Sequence, residues 1–397
     1  MTDAAPLKRR IGLGLLTAYG VGVMIGAGIY VLVGAVAAEA GVWAPLSFLV
    51  AGLIAAPTAL SYAEFSTRLP EAAGEAAYVG QGLRSQGLAV LVGLAIVAAG
   101  TVSAGAVLRG GVGYLTQALA VDPVLAIVAL GVALTAVAVF GVLESLALAA
   151  VFTVIEVAGL ALVIWAGNTA PLSADLAAPA PIVLAGVGGA AVLAFFAFIG
   201  FEDIVNMAEE VDRPERNLPR AILISLAITS VIYALVTFAA VRAVPIATLG
   251  QSSSPLVLVW RAAGHGDGHF LSGIAVFAAL NGVLAQIVMA ARVLFGLGRR
   301  VPALAVFHHA GRRFGTPGLA TLVVGAAVTL SSILVPFATL AELTSSILLG
   351  VFCLVNLALI LQKRRLPEAP FRVPMAVPVV GLVLSALALA TSLAGQI

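Results

Sequence analysis

The sequence predicts an all-α membrane protein of about eleven transmembrane helices, and two observations carry that expectation. Apolar residues come in runs of twenty or more, and charge is nearly absent from those runs. Of 397 residues, 62% are apolar and 10% charged, against roughly 45–50% and 25% in an ordinary soluble domain. That composition excludes a water-soluble globule. Runs of this length match membrane-spanning helices rather than amphipathic stripes. The 42 glycines fit close-packed or broken membrane helices. The single cysteine, Cys353, lies in an apolar run, which leaves no disulfide framework or Cys-rich metal site.

Taken in order, the spans fall near residues 11–37, 43–67, 87–119, 123–143, 145–167, 181–209, 219–244, 271–298, 317–336, 340–362 and 376–395. The first follows Lys8-Arg9-Arg10. Its apolar run is too long for a signal-peptide core of roughly 7–15 residues, so it reads as a span and not as a cleaved leader. After the second span the loop PEAAGEAAYV, with Pro70, Gly74 and Glu75, reads either as a short cytoplasmic helix or as a plain connector. The third and sixth windows exceed the roughly 20 residues that cross a hydrocarbon core, so each is expected to tilt or to break. The fifth carries Glu156 at mid-length, and the eighth carries Asn281, a residue suited to hydrogen bonding between helices or to lining a path. His308-His309 precedes the ninth span in a basic loop without nearby carboxylates or cysteine, which argues against metal binding there.

Cytoplasmic loops collect Lys and Arg. With the N-terminus inside, the cytoplasmic side holds Lys8, Arg9, Arg10, Arg68, Arg84, Arg213, Arg216, Arg220, Arg299, Arg300, Arg312, Arg313, Lys363, Arg364, Arg365 and Arg372, which is 16 of the 20 basic residues. Arg242 and Arg261 fall outside, and Arg109 and Arg292 lie within spans near helix ends. The expected orientation is therefore N-terminus cytoplasmic and C-terminus outside.

Two spans invite irregular backbone, which at membrane depth persists only where a cavity or ligand satisfies the freed groups. Span one reads GVGVMIGAGIYVLVG, with Gly22, Gly26 and Gly28 near its middle; Gly22 and Gly26 also form a small-xxx-small pair suited to helix packing. Span six reads FFAFIGFEDIVNMAEE, where Glu202 and Asp203 follow Gly200 as they would at the start of a new half-helix. Helix capping and gating both remain open for these two acids. Five spans separate the breaks, and an odd repeat inverts its second copy. The spacing thus fits an inverted-repeat plan in one membrane domain, with repeats near 11–167 and 181–362 and an extra helix near 376–395.

The stretches IGAGIYVLVG, SYAEFSTRLPEAAGEAAYV and FFAFIGFEDIVNMAEEVDRPERNLPRAI resemble the amino acid–polyamine–organocation (APC) superfamily of amino acid permeases, in its motif order and spacing. The resemblance implies a 5+5 inverted-repeat (LeuT-type) fold with helices 1 and 6 broken; against the family's usual twelve spans, eleven are visible. It further implies that backbone N–H groups at Ile25, Gly26, Ala27, Gly28 and Ile29 hold a substrate carboxylate. Carbonyls at the broken ends would hold its ammonium, with Phe196, Ala197, Ile199 and Gly200 opposite. A helix N-terminus supplies unpaired donors, and glycine admits a ligand to the backbone. Phe196, Phe198 and Phe201 are the gating candidates, with lipid-facing or packed helix surface as the alternative.

Glu156, in VFTVIEVAGLALVIW, has no charged neighbour in its own helix. A carboxylate at that depth is a functional hypothesis by default. Some prokaryotic members of the resembled family carry a proton-coupling lysine at the position counted from the pair matching Glu144-Ser145. An acid there carries a proton, completes a sodium site, or stays protonated against a neighbouring helix; the proton is favoured.

The function expected is secondary amino acid transport by alternating access in a bacterial cytoplasmic membrane, with exchange or export of the same ligands as the alternative. No GxxxxGK[ST] loop is present for ATP-driven transport, no repeated filter for a channel, and no HExxH or paired aspartates for an enzyme. No cofactor, metal or nucleic-acid partner is expected, only a proton or sodium gradient, membrane lipid and the substrate. The shortage of charge near the breaks favours a neutral, apolar amino acid over Lys, Arg or a polyamine.

Overall fold

A computed structural model describes residues 11–69, 74–140, 146–208, 210–309 and 316–394. Lys8, Arg9, Arg10, Pro70, the Glu144-Ser145 pair, Arg312, Arg313 and the side chains of Ala27 and Arg300 lie outside the described residues. The chain forms α1 (Leu13–Ala40), α2 (Ala44–Arg68), α3 (Gly74–Leu83), α4 (Gln86–Ala118), α5 (Pro123–Phe140), α6 (Leu146–Thr169), α7 (Ala174–Ala177), α8 (Leu184–Phe195), α9 (Pro214–Ala243), α10 (Ile246–Gln251), α11 (Pro255–Ala262), α12 (His269–Arg300), α13 (Gly318–Leu334), α14 (Phe337–Arg365) and α15 (Ala376–Ala394). Each of the eleven expected spans is helical. Among the described residues nine segments are long and apolar enough to cross a membrane, with Leu13–Gly26 and Gly318–Leu334 as shorter apolar ones.

Local signals set several boundaries. Ser85 starts α4 by accepting the Leu88 N–H at 3.3 Å, and proline opens α2, α9 and α11, where a missing N–H costs nothing. The two long windows behave differently. The third is one unbroken helix of 33 residues, about 50 Å at 1.5 Å per residue and so longer than the membrane core. The sixth breaks after Phe195: a 3-10 turn covers Phe196–Phe198, and a second covers Glu202–Met207. The loop after span two does contain a helix, α3. Between spans seven and eight, α10 and α11 were not anticipated, because six and eight residues are too short for a hydropathy window.

In the bundle α2 packs along α9, α4 along α12 and α5 against α13, while α1 lies against α6, α8 and α9. The ends of α2 and α14 that carry Arg68 and Lys363 meet. There Glu64, fully buried, accepts Lys363 Nζ at 2.6 Å, Arg68 Nη2 at 2.6 Å and the Val373 N–H at 2.9 Å. Arg68 also donates to the Leu366 and Glu368 carbonyls, which ties α2, α14 and the loop before α15 together. At the same end the main chain of Ile11 pairs with Glu210 and Asp212, joining the start of α1 to the segment after the second break.

Candidate functional site at the helix breaks

Gly26 departs from helical geometry inside α1 (φ 9°, ψ −170°), so backbone groups on both sides of it lose their intrahelical partners. Gly22 does something else: a Cβ there would overlap Thr153 Oγ1, so Gly22 is where α1 packs on α6, whereas a Cβ at Gly26 would meet nothing within 4 Å. The small-xxx-small pair thus splits into one packing residue and one break. The sixth span breaks at Ile199, which is extended, and Gly200, whose φ of 123° disfavours any residue with a Cβ.

The two breaks lie side by side. A Cβ on Gly200 would come 2.6 Å from Val23 Cγ1 and 3.2 Å from the Met24 nitrogen, and one on Gly28 would sit 3.5 Å from the Phe196 ring. Tyr233, on α9, bridges them: its hydroxyl lies 2.6 Å from the Met24 carbonyl and 2.8 Å from the Ala197 carbonyl. Ile25, Ile29, Phe196, Ala197 and Ile199 are buried around this point, while Gly26 keeps partial exposure. Of the expected site residues the structure therefore brings together Ile25, Gly26, Gly28 and Ile29 with Phe196, Ala197, Ile199 and Gly200.

Phe198 and Phe201 are turned elsewhere. Phe198 packs on Tyr233 with ring centroids 5.1 Å apart and lies against Gly52. Phe201 meets Tyr62 and Phe352, at 5.7 and 5.3 Å, in an aromatic cluster toward the basic end. Glu202 folds back so that its carboxylate accepts the Gly200 N–H at 2.9 Å, a cap on the break itself.

Glu156 is buried on α6, with Tyr30 and Tyr233 as its electrostatic neighbours. The Tyr30 hydroxyl donates to the Glu156 main-chain carbonyl at 3.1 Å, and the Glu156 Oε2 atom has no hydrogen-bond partner among the described residues. The acid thus stands beside the part of α1 that follows the break, with one oxygen unspent.

Sequence reasoning missed Tyr233, although a tyrosine inside the apolar stretch SVIYALV is itself a signal, since a buried phenol needs a partner. It also missed Lys363 as the partner of Glu64, because 299 positions separate them.

The site offers backbone donors and acceptors, apolar walls and one spare carboxylate oxygen. Among the described residues no three His, Cys, Asp or Glu side chains converge on a metal position. Broken helices meeting inside an apolar helical bundle suit a membrane transport protein. Residues 11–395 match the family model described as amino acid permease, and the chain belongs to that family, within the APC superfamily. It is 29% identical to the branched-chain amino acid permease BcaP of Bacillus subtilis, over 94% of this chain and 85% of that one. Cationic amino acid transporter 3, mitochondrial, of Arabidopsis thaliana is 31% identical over 91% of this chain and 63% of its own length. The methylthioribose transporter of Bacillus subtilis is 30% identical over 93% and 84%.

Proposed function

We propose that this permease is a secondary transporter that moves a neutral, apolar amino acid by alternating access, coupled to protons through Glu156. The observation that carries the reading is the pair of adjacent breaks bridged by Tyr233. Freed N–H groups at a helix start suit a carboxylate, and freed carbonyls suit an ammonium. An α-amino acid presents both groups on one carbon. The apolar walls around Phe196 favour an aliphatic side chain, and the name of the branched-chain relative points the same way. Other relatives are named for cationic amino acids and methylthioribose, so arginine and methylthioribose belong in any substrate screen.

The inverted-repeat plan is supported by the packing of α2 on α9, α4 on α12 and α5 on α13, since each pair joins spans five apart. We place the basic end in the cytoplasm of a bacterial inner membrane, and we infer that the driving force is an ion gradient without a cofactor.

Saturable, competable uptake in proteoliposomes tests the transport reading; non-saturating conductance would sink it. A thermal-shift screen of the twenty amino acids, polyamines and methylthioribose tests the substrate, and selective stabilisation by arginine would overturn the neutral preference. For coupling, Glu156→Gln is expected to lose pH-driven uptake while keeping exchange. Unchanged pH dependence in that variant, or uptake that follows sodium instead, removes the proton.

A further inference from the structure

Helix α9 turns one face away from the bundle. Ile224, Ile228, Val231 and Leu235 are exposed on it, spaced by three or four residues as a single helical stripe requires. The opposite face, with Ser225, Thr229, Tyr233 and Val236, is buried where α9 packs on α1, α2 and α6. An exposed apolar stripe on a membrane-spanning helix faces lipid chains. Ile224 to Leu235 covers about 16 Å at 1.5 Å per residue, one leaflet's share of a hydrocarbon core about 30 Å thick.

Toward the basic end the same stripe continues as Arg220 and Arg216, both exposed. At 3.6 residues per turn, the six positions from Arg216 to Leu235 fall within about 120° of the helix circumference. Glu215 is the one acid in α9, and it stands about 100° beyond Arg216, away from the stripe. Arg213 is already engaged, with Nε 3.9 Å from Asp212 Oδ2. The side chains of Arg216 and Arg220 have no hydrogen-bond or ion-pair partner among the described residues. Arg68, Lys363 and Arg365 differ, being spent on Glu64 and on main-chain carbonyls. Two unspent guanidinium groups therefore stand directly above an apolar track of one-leaflet length. A guanidinium fork suits a phosphate, and two of them without a nearby acid suit a headgroup whose phosphate is not neutralised by an ammonium of its own.

We propose that this face of α9 is a docking site for an anionic phospholipid of the leaflet at the basic end. Its phosphate sits on Arg216 and Arg220, and an acyl chain lies along Ile224, Ile228, Val231 and Leu235. Nothing in this placement depends on which substrate is carried. The helix so anchored is the one that bridges the two breaks through Tyr233. It also meets the start of α1, because the Asp212 N–H donates to the Ile11 carbonyl at 2.9 Å just before α9 begins.

Native mass spectrometry of the purified full chain in detergent tests the site, with phosphatidylglycerol and phosphatidylcholine of the same acyl chains titrated separately. The wild type is expected to retain phosphatidylglycerol more tightly. Arg216→Gln combined with Arg220→Gln is expected to weaken phosphatidylglycerol about thirtyfold, about fivefold for each charge, and to leave phosphatidylcholine unchanged. Arg216→Lys with Arg220→Lys keeps the charges without the forks and is expected to fall between. Arg292→Gln removes another exposed arginine, on α12, and is expected to keep wild-type affinity. Equal retention of the two lipids by the wild type, or equal phosphatidylglycerol affinity in the wild type and the double glutamine variant, overturns the site. The same weakening in Arg292→Gln overturns it too, since a basic surface would then attract lipid without a particular place for it. Inorganic phosphate is expected not to displace the lipid; displacement would make this a phosphate site and sink the lipid. Ile228→Ser is expected to weaken retention of both lipids, and unchanged retention there counts against the acyl track. These positions are exposed, so melting in lipid-free detergent is expected to match the wild type, and Arg220→Gln alone reads the same loss at about fivefold if the double variant melts early.

Discussion

A phenol has one proton to donate, and at Tyr233 two carbonyls share it. The Met24 and Ala197 oxygens belong to different broken helices, so this single hydroxyl fixes how far apart the breaks stand. Tyr233→Phe keeps the ring contacts with Phe48 and Phe198 but strands both carbonyls. The expected cost is about 1–3 kcal/mol of stability, the penalty of leaving buried polar groups unpaired, together with a raised KM. Thermal unfolding in detergent and substrate titration check it; a variant with wild-type melting and affinity would show that the bridge does nothing. Glu64 makes a stronger case at the same scale. Two cations and a main-chain N–H converge on its carboxylate, and Lys363 is itself 4% exposed. Glu64→Ala leaves that ammonium buried without a counter-charge, which costs about 3–5 kcal/mol. The double variant Glu64→Ala with Lys363→Met is expected to recover much of the loss in the same melting assay. Failure of the second substitution to help would mean that Arg68 and the Val373 loop carry the energy. Neither residue announced its role in the sequence. An apolar run shows that a tyrosine or glutamate is buried, but a partner on another helix is a fact of the tertiary fold.

At the scale of elements the sequence was far more legible. A span needs about 20 apolar residues in succession, and that local requirement placed all eleven helices close to where they stand. The breaks were legible for the same reason: Gly26 and Gly200 are locally encoded departures from helix. Whether a glycine packs or breaks was not legible, as Gly22 shows, because the answer lies with Thr153 on another helix. Helix α3 is an element whose behaviour should change with pH. It is joined to α14 through Arg365, which donates to the Gly82 carbonyl at 3.0 Å, and it carries Glu75 into a buried position. Burial pushes Glu75 from 4.5 up to about 7, and the negative charge of Asp203 pushes the same way. The folded chain therefore keeps a proton that the unfolded chain gives up. The stability from this group is complete below about pH 4.5 and is lost as pH rises through about 7, a change of about 3 kcal/mol. Melting temperature measured from pH 5 to pH 8 is expected to fall in the wild type and to stay flatter in Glu75→Gln. An identical slope in both proteins would assign the pH dependence to other groups.

For the whole molecule the decisive quantity is which end faces which compartment, since the side from which a substrate enters follows from it. The argument is electrostatic and statistical at once: 16 of 20 basic residues fall in alternate loops, and short basic loops stay on the cytoplasmic side. The packing adds a second strand, because Arg68, Lys363 and Arg365 are built into that end as ion pairs and carbonyl caps. Two exposed positions report on the two ends: Ser253, between α10 and α11, and Glu368, between α14 and α15. In a Cys353→Ala background, Ser253→Cys is expected to react with an impermeant thiol reagent on intact cells, and Glu368→Cys only after the membrane is permeabilised. The reverse pattern would invert the topology. The Glu64 and Lys363 cluster and the Glu75 helix would then face the outside, while the melting response of Glu75 to pH, set by burial inside the fold, would stay the same.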